Sequence, residues 1–421
     1  MSTRTPDRAS SPDATGDVTL RTFLRDRSFA LYLVGQTTSG AGSALSAVAL
    51  VFAVQAISHS ASSVGLVMLA SRLPGVVLTL AGGVAADRWS RRRIVVCTDA
   101  VRTALQATTG ILLVSGHATV ALLAALQLVA GGASACFAPA ASALAAGVAP
   151  RGQVRRAGSL LAMTTAIAQT GGLALSGVIV ALAGPGTSFL IDAATFATST
   201  VTLALVRAPA TVAPPAQALL HDLRAGWRAV VSRRWLVVYA VHVTTLNLLA
   251  LSPFFVLGPI VARTRLGGAP AWSAIALGYA LGNLAAAHVT YRWAPRRPLL
   301  AAVVLNVGLA PLLALLGLGA PLWLLVPAAL LAGGQATIYN TLITSARQCN
   351  LPADILGRAS AITGIASTVL VPVGMGLAGV VAGAVGISTV LLGGAVVVLT
   401  LAMACASLPA TRTALALELR P

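Results

Sequence analysis

Five ionisable side chains stand inside or at the ends of long apolar runs: Arg72, Asp99, Arg102, Asp192 and His242. Charge is costly in such surroundings and marks a functional candidate by default. Arg72 falls near the middle of its run, where snorkelling needs a long reach, so its guanidinium calls for a partner. That partner is either a ligand or titrating carboxylate in a central cavity, or backbone carbonyls or Asp192 in helix packing. Asp99 and Arg102 are spaced i, i+3 and can pair on one helix face. They suit a structural pair tied to the nearby arginine loop, or a proton relay. Asp192 poses a similar choice between carrying a proton and making a structural hydrogen bond. A free histidine titrates near neutral pH, so His242 is a proton candidate or a hydrogen-bonded core residue. Gln36, Gln127, Asn247, Asn283, Tyr339 and Asn340 can supply hydrogen bonds to a cavity or join helices. No nucleophile motif, phosphate loop or metal-ligand cluster is visible, so neither an enzyme nor a cofactor or metal is expected. Cys97, Cys136, Cys349 and Cys405 lack CxxC spacing and read as small core residues.

The elements that must position these groups follow from composition. The chain has 421 residues, 57% hydrophobic and only 9% charged, with 40 Gly and a mean hydropathy of +0.88. A soluble globule, a disordered chain and a disulfide framework are excluded, and stacked membrane helices remain. Taking about 20 apolar residues per crossing, the spans fall near 29–57, 61–86, 94–115, 118–148, 158–183 and 186–206. After a polar stretch they resume near 235–262, 271–291, 298–317, 320–346, 358–384 and 386–408. The expected fold is therefore all-α, with twelve spans. The first run begins at Phe29, too far in and too long for a cleavable signal peptide. The expected organisation is a tail 1–28, a bundle 29–207, a linker 208–234, a bundle 235–408 and a tail 409–421.

All 28 basic residues are arginine. Twenty-four lie before the first span, in the even-numbered connectors or in the last tail. Only Arg263 and Arg265 fall in the alternate connectors, and Arg72 and Arg102 lie inside spans. Basic loops stay cytoplasmic, which predicts both termini and the linker on that side. The formal charge of +18 thus reports topology rather than nucleic-acid binding. Within the linker, the stretch from Leu219 to Trp227 is amphipathic and suited to the inner leaflet.

Shifted by 202 residues, Leu128 to Gly132 align with Leu330 to Gly334, Pro150 with Pro352, Arg156 with Arg358, and Gly172, Gly177 and Gly184 with Gly374, Gly379 and Gly386. The two bundles are therefore read as copies in the same orientation, an arrangement found in transporters that rock about a midplane site.

The connector after span 2 runs from Gly82 through Gly83, Asp87, Arg88, Ser90, Arg91 and Arg92 to Arg93. Gly83 permits close helix approach, Asp87 suits a helix N-terminus, and the arginines suit a cytoplasmic leaflet. This loop resembles the GxxxD[RK]xGR[RK] motif of the major facilitator superfamily, with Ser90 in place of the usual glycine. Further similarity covers nearly the whole chain, including Gly35 to Ser43, Phe137 to Ala140, Phe189 to Phe196 and Gln348 to Arg358. It is nearest the twelve-helix drug:proton antiporters. The resemblance implies export of a small molecule from the cytoplasm in exchange for protons. A monomer in the cytoplasmic membrane, gated by the Asp87 loop, is expected. Pro372, Gly374 and Gly376 are expected to bend span 11. The scarcity of carboxylates in the spans disfavours a lipophilic cation and suits a neutral or weakly acidic substrate. Proton-coupled uptake on the same fold, or a non-transporting sensor or scaffold, are the alternatives. The partners expected are the substrate, protons and membrane lipids.

Overall fold

A computed structural model describes residues 23, 25–81, 90–150, 152–207, 219–293 and 295–412. Among them every regular element is helical. Runs of Leu, Val and Ala in hydrocarbon can satisfy their backbone polar groups only within each helix. The helices are α1 (Arg27–Ile57), α2 (Ala61–Ala81), α3 (Arg91–Val114), α4 (Val120–Val148) and α5 (Val154–Leu205). A short α6 (Leu219–Val231) precedes α7 (Arg234–Leu246), which runs through a π turn, Asn247–Leu251, into α8 (Ser252–Arg265). Next come α9 (Ala269–Arg292), α10 (Pro298–Leu305), α11 (Leu309–Leu318) and α12 (Leu322–Asn350). The last are α13 (Ala353–Thr368), α14 (Val371–Val385) and α15 (Ile387–Ser407). Among the described residues, nine helical stretches are long and apolar enough to cross a membrane. The helices α3 and α9, 24 residues each, are long enough but less apolar.

The 52 residues of α5 are broken at Gly184, whose φ of 78° and ψ of 166° are not helical and which Pro185 follows. Uninterrupted, such a helix would measure about 78 Å, well over twice a hydrocarbon core of about 30 Å. The corresponding glycine of the second copy, Gly386, adopts φ 89° and ψ 148° between α14 and α15. Glycine alone takes such angles without strain, so the sequence repeat is matched by a repeat of backbone shape. The same correspondence holds for Gly131 and Gly333. An added Cβ at Gly131 would collide with Ser71 O on α2, and one at Gly333 with Tyr279 O on α9.

Contacts between the two copies gather at the end away from the arginine-rich connectors. There α2 meets α14, and α5 meets α9. An added Cβ at Gly65 would fall 2.8 Å from Met375 O, and one at Gly177 would fall 2.6 Å from Ser273 Oγ and 2.8 Å from Ala269 O. At Gly379 it would collide with Ala61 O. Small residues let backbones touch here, as in other membrane helix pairs.

At the arginine-rich end α6 lies on α13, where Gly226 sits against Arg358 O. Ala229 and Val230 are buried with Leu236, Leu351 and Ala359. Arg224, Trp227, Arg228 and Val231 form the opposite, exposed face at positions i, i+3, i+4 and i+7.

The expected bend in span 11 is a two-residue interruption, Val369 and Leu370, between α13 and α14, where the backbone stays right-handed. Pro372 has no N–H to offer Thr368 O, and neighbouring carbonyls of the break are met from α7, its π turn and α8. Thr244 Oγ1 donates to Ala366 O at 2.6 Å, Asn247 Nδ2 to Ser367 O at 2.6 Å, and Ser252 Oγ to Val371 O at 3.2 Å. Gly374 lets the helices close up, since an added Cβ would lie 2.8 Å from both Leu248 O and Ser252 Oγ. Gly376 faces α2 instead, with Leu69 Cδ2 3.3 Å from an added Cβ. Replacing Asn247 by alanine is expected to cost about 1–3 kcal/mol, because Ser367 O loses its donor. Thermal unfolding in detergent checks this, and an unchanged melting temperature would mean that the bond carries no net stability.

Candidate functional site

A cavity of about 1570 Å³ lies between the copies. It runs from Trp272 and Val51 near the sealed end to Ile94, Cys97 and Pro139 near the arginine-rich end. Its walls are mostly Val, Leu, Met, Ala and Pro. Arg72 on α2 lines it, and the side chain is exposed there. No Asp or Glu appears in the lining among the described residues.

Of the hydrogen-bonding residues expected in a cavity, Asn247 and Asn283 line this one. Asn283 accepts from Thr337 Oγ1 at 2.9 Å, which ties α9 to α12 and leaves its amide nitrogen without a partner among the described residues. Gln169, Thr98, Thr170 and Thr368 add polarity. Gln36, Gln127, Tyr339 and Asn340 do not line the cavity. Gln127 and Tyr339 are buried within their own bundles, while Asn340 is exposed and donates to Ala336 O. Pro372 also faces the cavity.

The remaining ionisable candidates separate into two buried clusters. In the first copy, Arg102 Nη1 lies 3.3 Å from Asp99 Oδ1. Ser199 Oγ donates to Asp99 Oδ2 at 2.6 Å. The Arg102 guanidinium sits 4.1 Å from the centre of the Phe196 ring and 5.1 Å from that of Phe137, positions that favour cation–π attraction. Close by, Gln106 Nε2 donates to Asp192 Oδ2 at 2.6 Å and Thr195 Oγ1 to Asp192 Oδ1 at 3.3 Å. Asp99 and Asp192 are 0% and 1% exposed, so neither reaches the cavity in this conformation. In the second copy Asn306 Nδ2 donates to the fully buried His242 Nε2 at 2.9 Å, and the Tyr339 ring lies 5.8 Å away.

Gly83, Asp87 and Arg88 lie outside the described residues. From the same loop, Ser90 begins α3 as its N-cap, its Oγ accepting from Arg93 N at 3.4 Å. Serine is well suited to that position, which accounts for it where the motif usually has glycine. Arg92 donates to Leu203 O at 3.4 Å and also to Ala204 O, so it satisfies the carbonyl end of α5. Arg91 is half-buried at the start of α3.

Two features escaped sequence reading. Phe254, Phe255, Trp272 and Tyr279 form one aromatic group in the cavity wall. Phe254 is 5.2 Å from Trp272 and stacks on Tyr279 at 6.0 Å between ring centres. Aromatic residues make up only 5% of the chain, so four of them bordering one connector were the available signal. In addition Cys97 and Cys136, expected in the core, line the cavity as free thiols. Helices apolar on all sides give no pattern from which to choose the buried face.

The family model described as "transmembrane secretion effector" matches residues 20–418. The chain belongs to that family of the major facilitator superfamily. Such a facilitator is a transporter and not an enzyme. Its similarity to the multidrug efflux pump Tap of Mycobacterium tuberculosis is 28% identity over 400 residues, 91% of this chain and 93% of the pump. The Mycobacterium bovis pump of the same name matches equally. Among solved structures, a bacterial homologue of the iron transporter ferroportin, inward-facing, superposes with a TM-score of 0.70 at 15% identity, covering 91% of this facilitator and 99% of that chain. The nucleoside transporter NupG gives 0.67 at 14% identity, over 89% and 98%. These identities carry the fold alone.

Proposed function

We propose that this facilitator exports a small hydrogen-bonding molecule from the cytoplasm by proton-coupled alternating access. Twelve crossings are reached when α5 counts as two across Gly184 and α3 and α9 join the remaining apolar stretches. Both termini and α6 then lie on the cytoplasmic side, as the arginine distribution requires. The exposed Arg224, Trp227, Arg228 and Val231 of α6 suit the inner leaflet. The observation that carries the reading is the cavity between the copies, sealed at one end by Gly65, Gly177 and Gly379 and extending to the arginine-rich end. In this orientation it is loaded from the cytoplasm, and rocking about it exposes the same residues to the other side. Similarity over nearly full length to a multidrug efflux pump supports export over uptake.

Asp87 locks the cytoplasmic face in the proposed cycle, and Arg72 handles the substrate. Asp99, Asp192 and His242 are the groups from which the coupled proton is drawn. Inverted vesicles energised with a proton gradient test the reading. Substrates among antibiotics and metabolites should dissipate the gradient with the parent chain, and Asp87→Asn should abolish the response. Dissipation that persists in Asp87→Asn would remove Asp87 from the gate, and silence across a broad panel from folded protein would overturn proton-coupled export.

A further inference from the structure

Among the described residues the cavity's charge is one-sided: Arg72 lines it, no carboxylate does, and Arg72 has neither an ion-pair nor a hydrogen-bond partner. The two buried carboxylates described in the same copy are engaged elsewhere, Asp99 with Arg102 and Ser199, and Asp192 with Gln106 and Thr195. A guanidinium in an apolar wall attracts an anion into the cleft and repels a cation. Its planar fork fits a carboxylate, with two parallel hydrogen bonds.

Phe255 and Tyr279 of the aromatic group lie at the same depth as Arg72. Arg72 stands 11 residues from the sealed end of α2, while Phe255 and Tyr279 stand 10 residues from the sealed ends of α8 and α9. At 1.5 Å per helical residue each is about 15 Å in. Phe255 and Tyr279 therefore offer ring faces and edges at the level where Arg72 offers charge, while Phe254, fully buried, packs against both rings, a geometry that suits flat aromatic bodies. Asn283, one turn from Tyr279, and Asn247 lie towards the arginine-rich end, where they can meet hydroxyl or carbonyl substituents.

We propose that the cavity binds planar aromatic monocarboxylates as anions, the carboxylate on Arg72 and the ring against Phe255 and Tyr279. This rests on the transport reading above and narrows its substrate class. The bound anion itself balances Arg72, so no carboxylate is needed in the cavity wall to do so.

The test uses the full chain and three probes of one shape: naphthalene-2-carboxylate, its neutral amide, and the naphthylmethylammonium cation. Equilibrium binding should favour the acid over the amide by at least about tenfold, as a charge-assisted bidentate pair exceeds a neutral contact, and the cation should bind weakest. Arg72→Gln should erase the preference by weakening the acid far more than the amide, Arg72→Lys should keep part of it, and Tyr279→Leu should weaken acid and amide alike. Equal binding of acid and amide by the parent chain overturns the proposal without recourse to any variant. So does a preference for the cation, an equal loss of all probes in Arg72→Gln, or no binding of any probe. Liposome flux separates the two readings. An acid that binds selectively but does not move contradicts transport and leaves the anion site standing, whereas an amide that binds and moves as well as the acid contradicts the anion site alone.

Discussion

Gly379→Ala is expected to shift the resting molecule away from the conformation described above, with labelling of Cys97 and Cys136 from the arginine-rich side slowed and transport reduced. The added methyl would collide with Ala61 O, a backbone atom that cannot turn aside. The clash exists only while α2 and α14 are closed on each other. Overpacking of this kind costs about 1–3 kcal/mol, which moves a two-state equilibrium by about 5- to 150-fold. Gly177→Ala should act in the same direction through α5 and α9, where Ser273 Oγ and Ala269 O are the obstacles. Gly383→Ala is the control, since nothing lies within 4 Å of its added Cβ. An impermeant thiol reagent reads the outcome on the two native cysteines. Unchanged labelling in both Gly379→Ala and Gly177→Ala would show that the glycine contacts do not hold this end shut.

Asp99→Ala should be the most destabilising single change in the first copy. It strips the Arg102 guanidinium of its ion pair and leaves Ser199 Oγ without its acceptor. Arg102 cannot move readily into water, because Phe137 and Phe196 flank it and its side chain is 16% exposed. Removing one partner of a buried pair costs about 3–5 kcal/mol. Asp99→Asn combined with Arg102→Gln should recover much of this, since no unpaired charge remains. Thermal unfolding of the purified chain in detergent decides between the two readings of the pair. A lowered melting temperature that the double variant restores identifies a structural pair, whereas parent-like melting with loss of proton coupling identifies a relay.

The sequence exposed the helices well, because spans, breaks and connectors are written in residue type. Gly184 and Pro185 end span 5, Pro372 breaks span 11, and the duplicated glycines recur as duplicated contacts. It exposed the site unevenly. Arg72 was legible because a charge in an apolar run must face something other than lipid. Asn247 and Asn283 were found, but Gln36, Gln127, Tyr339 and Asn340 carried the same signal and face elsewhere. Rotation about a helix axis is set by neighbours, and a helix without a polar face does not announce it. The aromatic wall was hidden for the related reason that Phe and Trp are at home in any apolar contact.

The seal between the copies is made of glycines against backbone carbonyls and a serine hydroxyl, together with buried apolar side chains such as Val64, Val67, Met375 and Ala378, with no ion pair among the described residues. Contacts of this kind are indifferent to ionic strength, whereas attraction between exposed charges fades within about 10 Å at 0.1 M salt. In the orientation proposed, the dry seal faces surroundings whose salt and acidity vary, and the charged Asp87 loop faces a buffered interior. The barrier on each side is then made of the material that its own solvent leaves undisturbed.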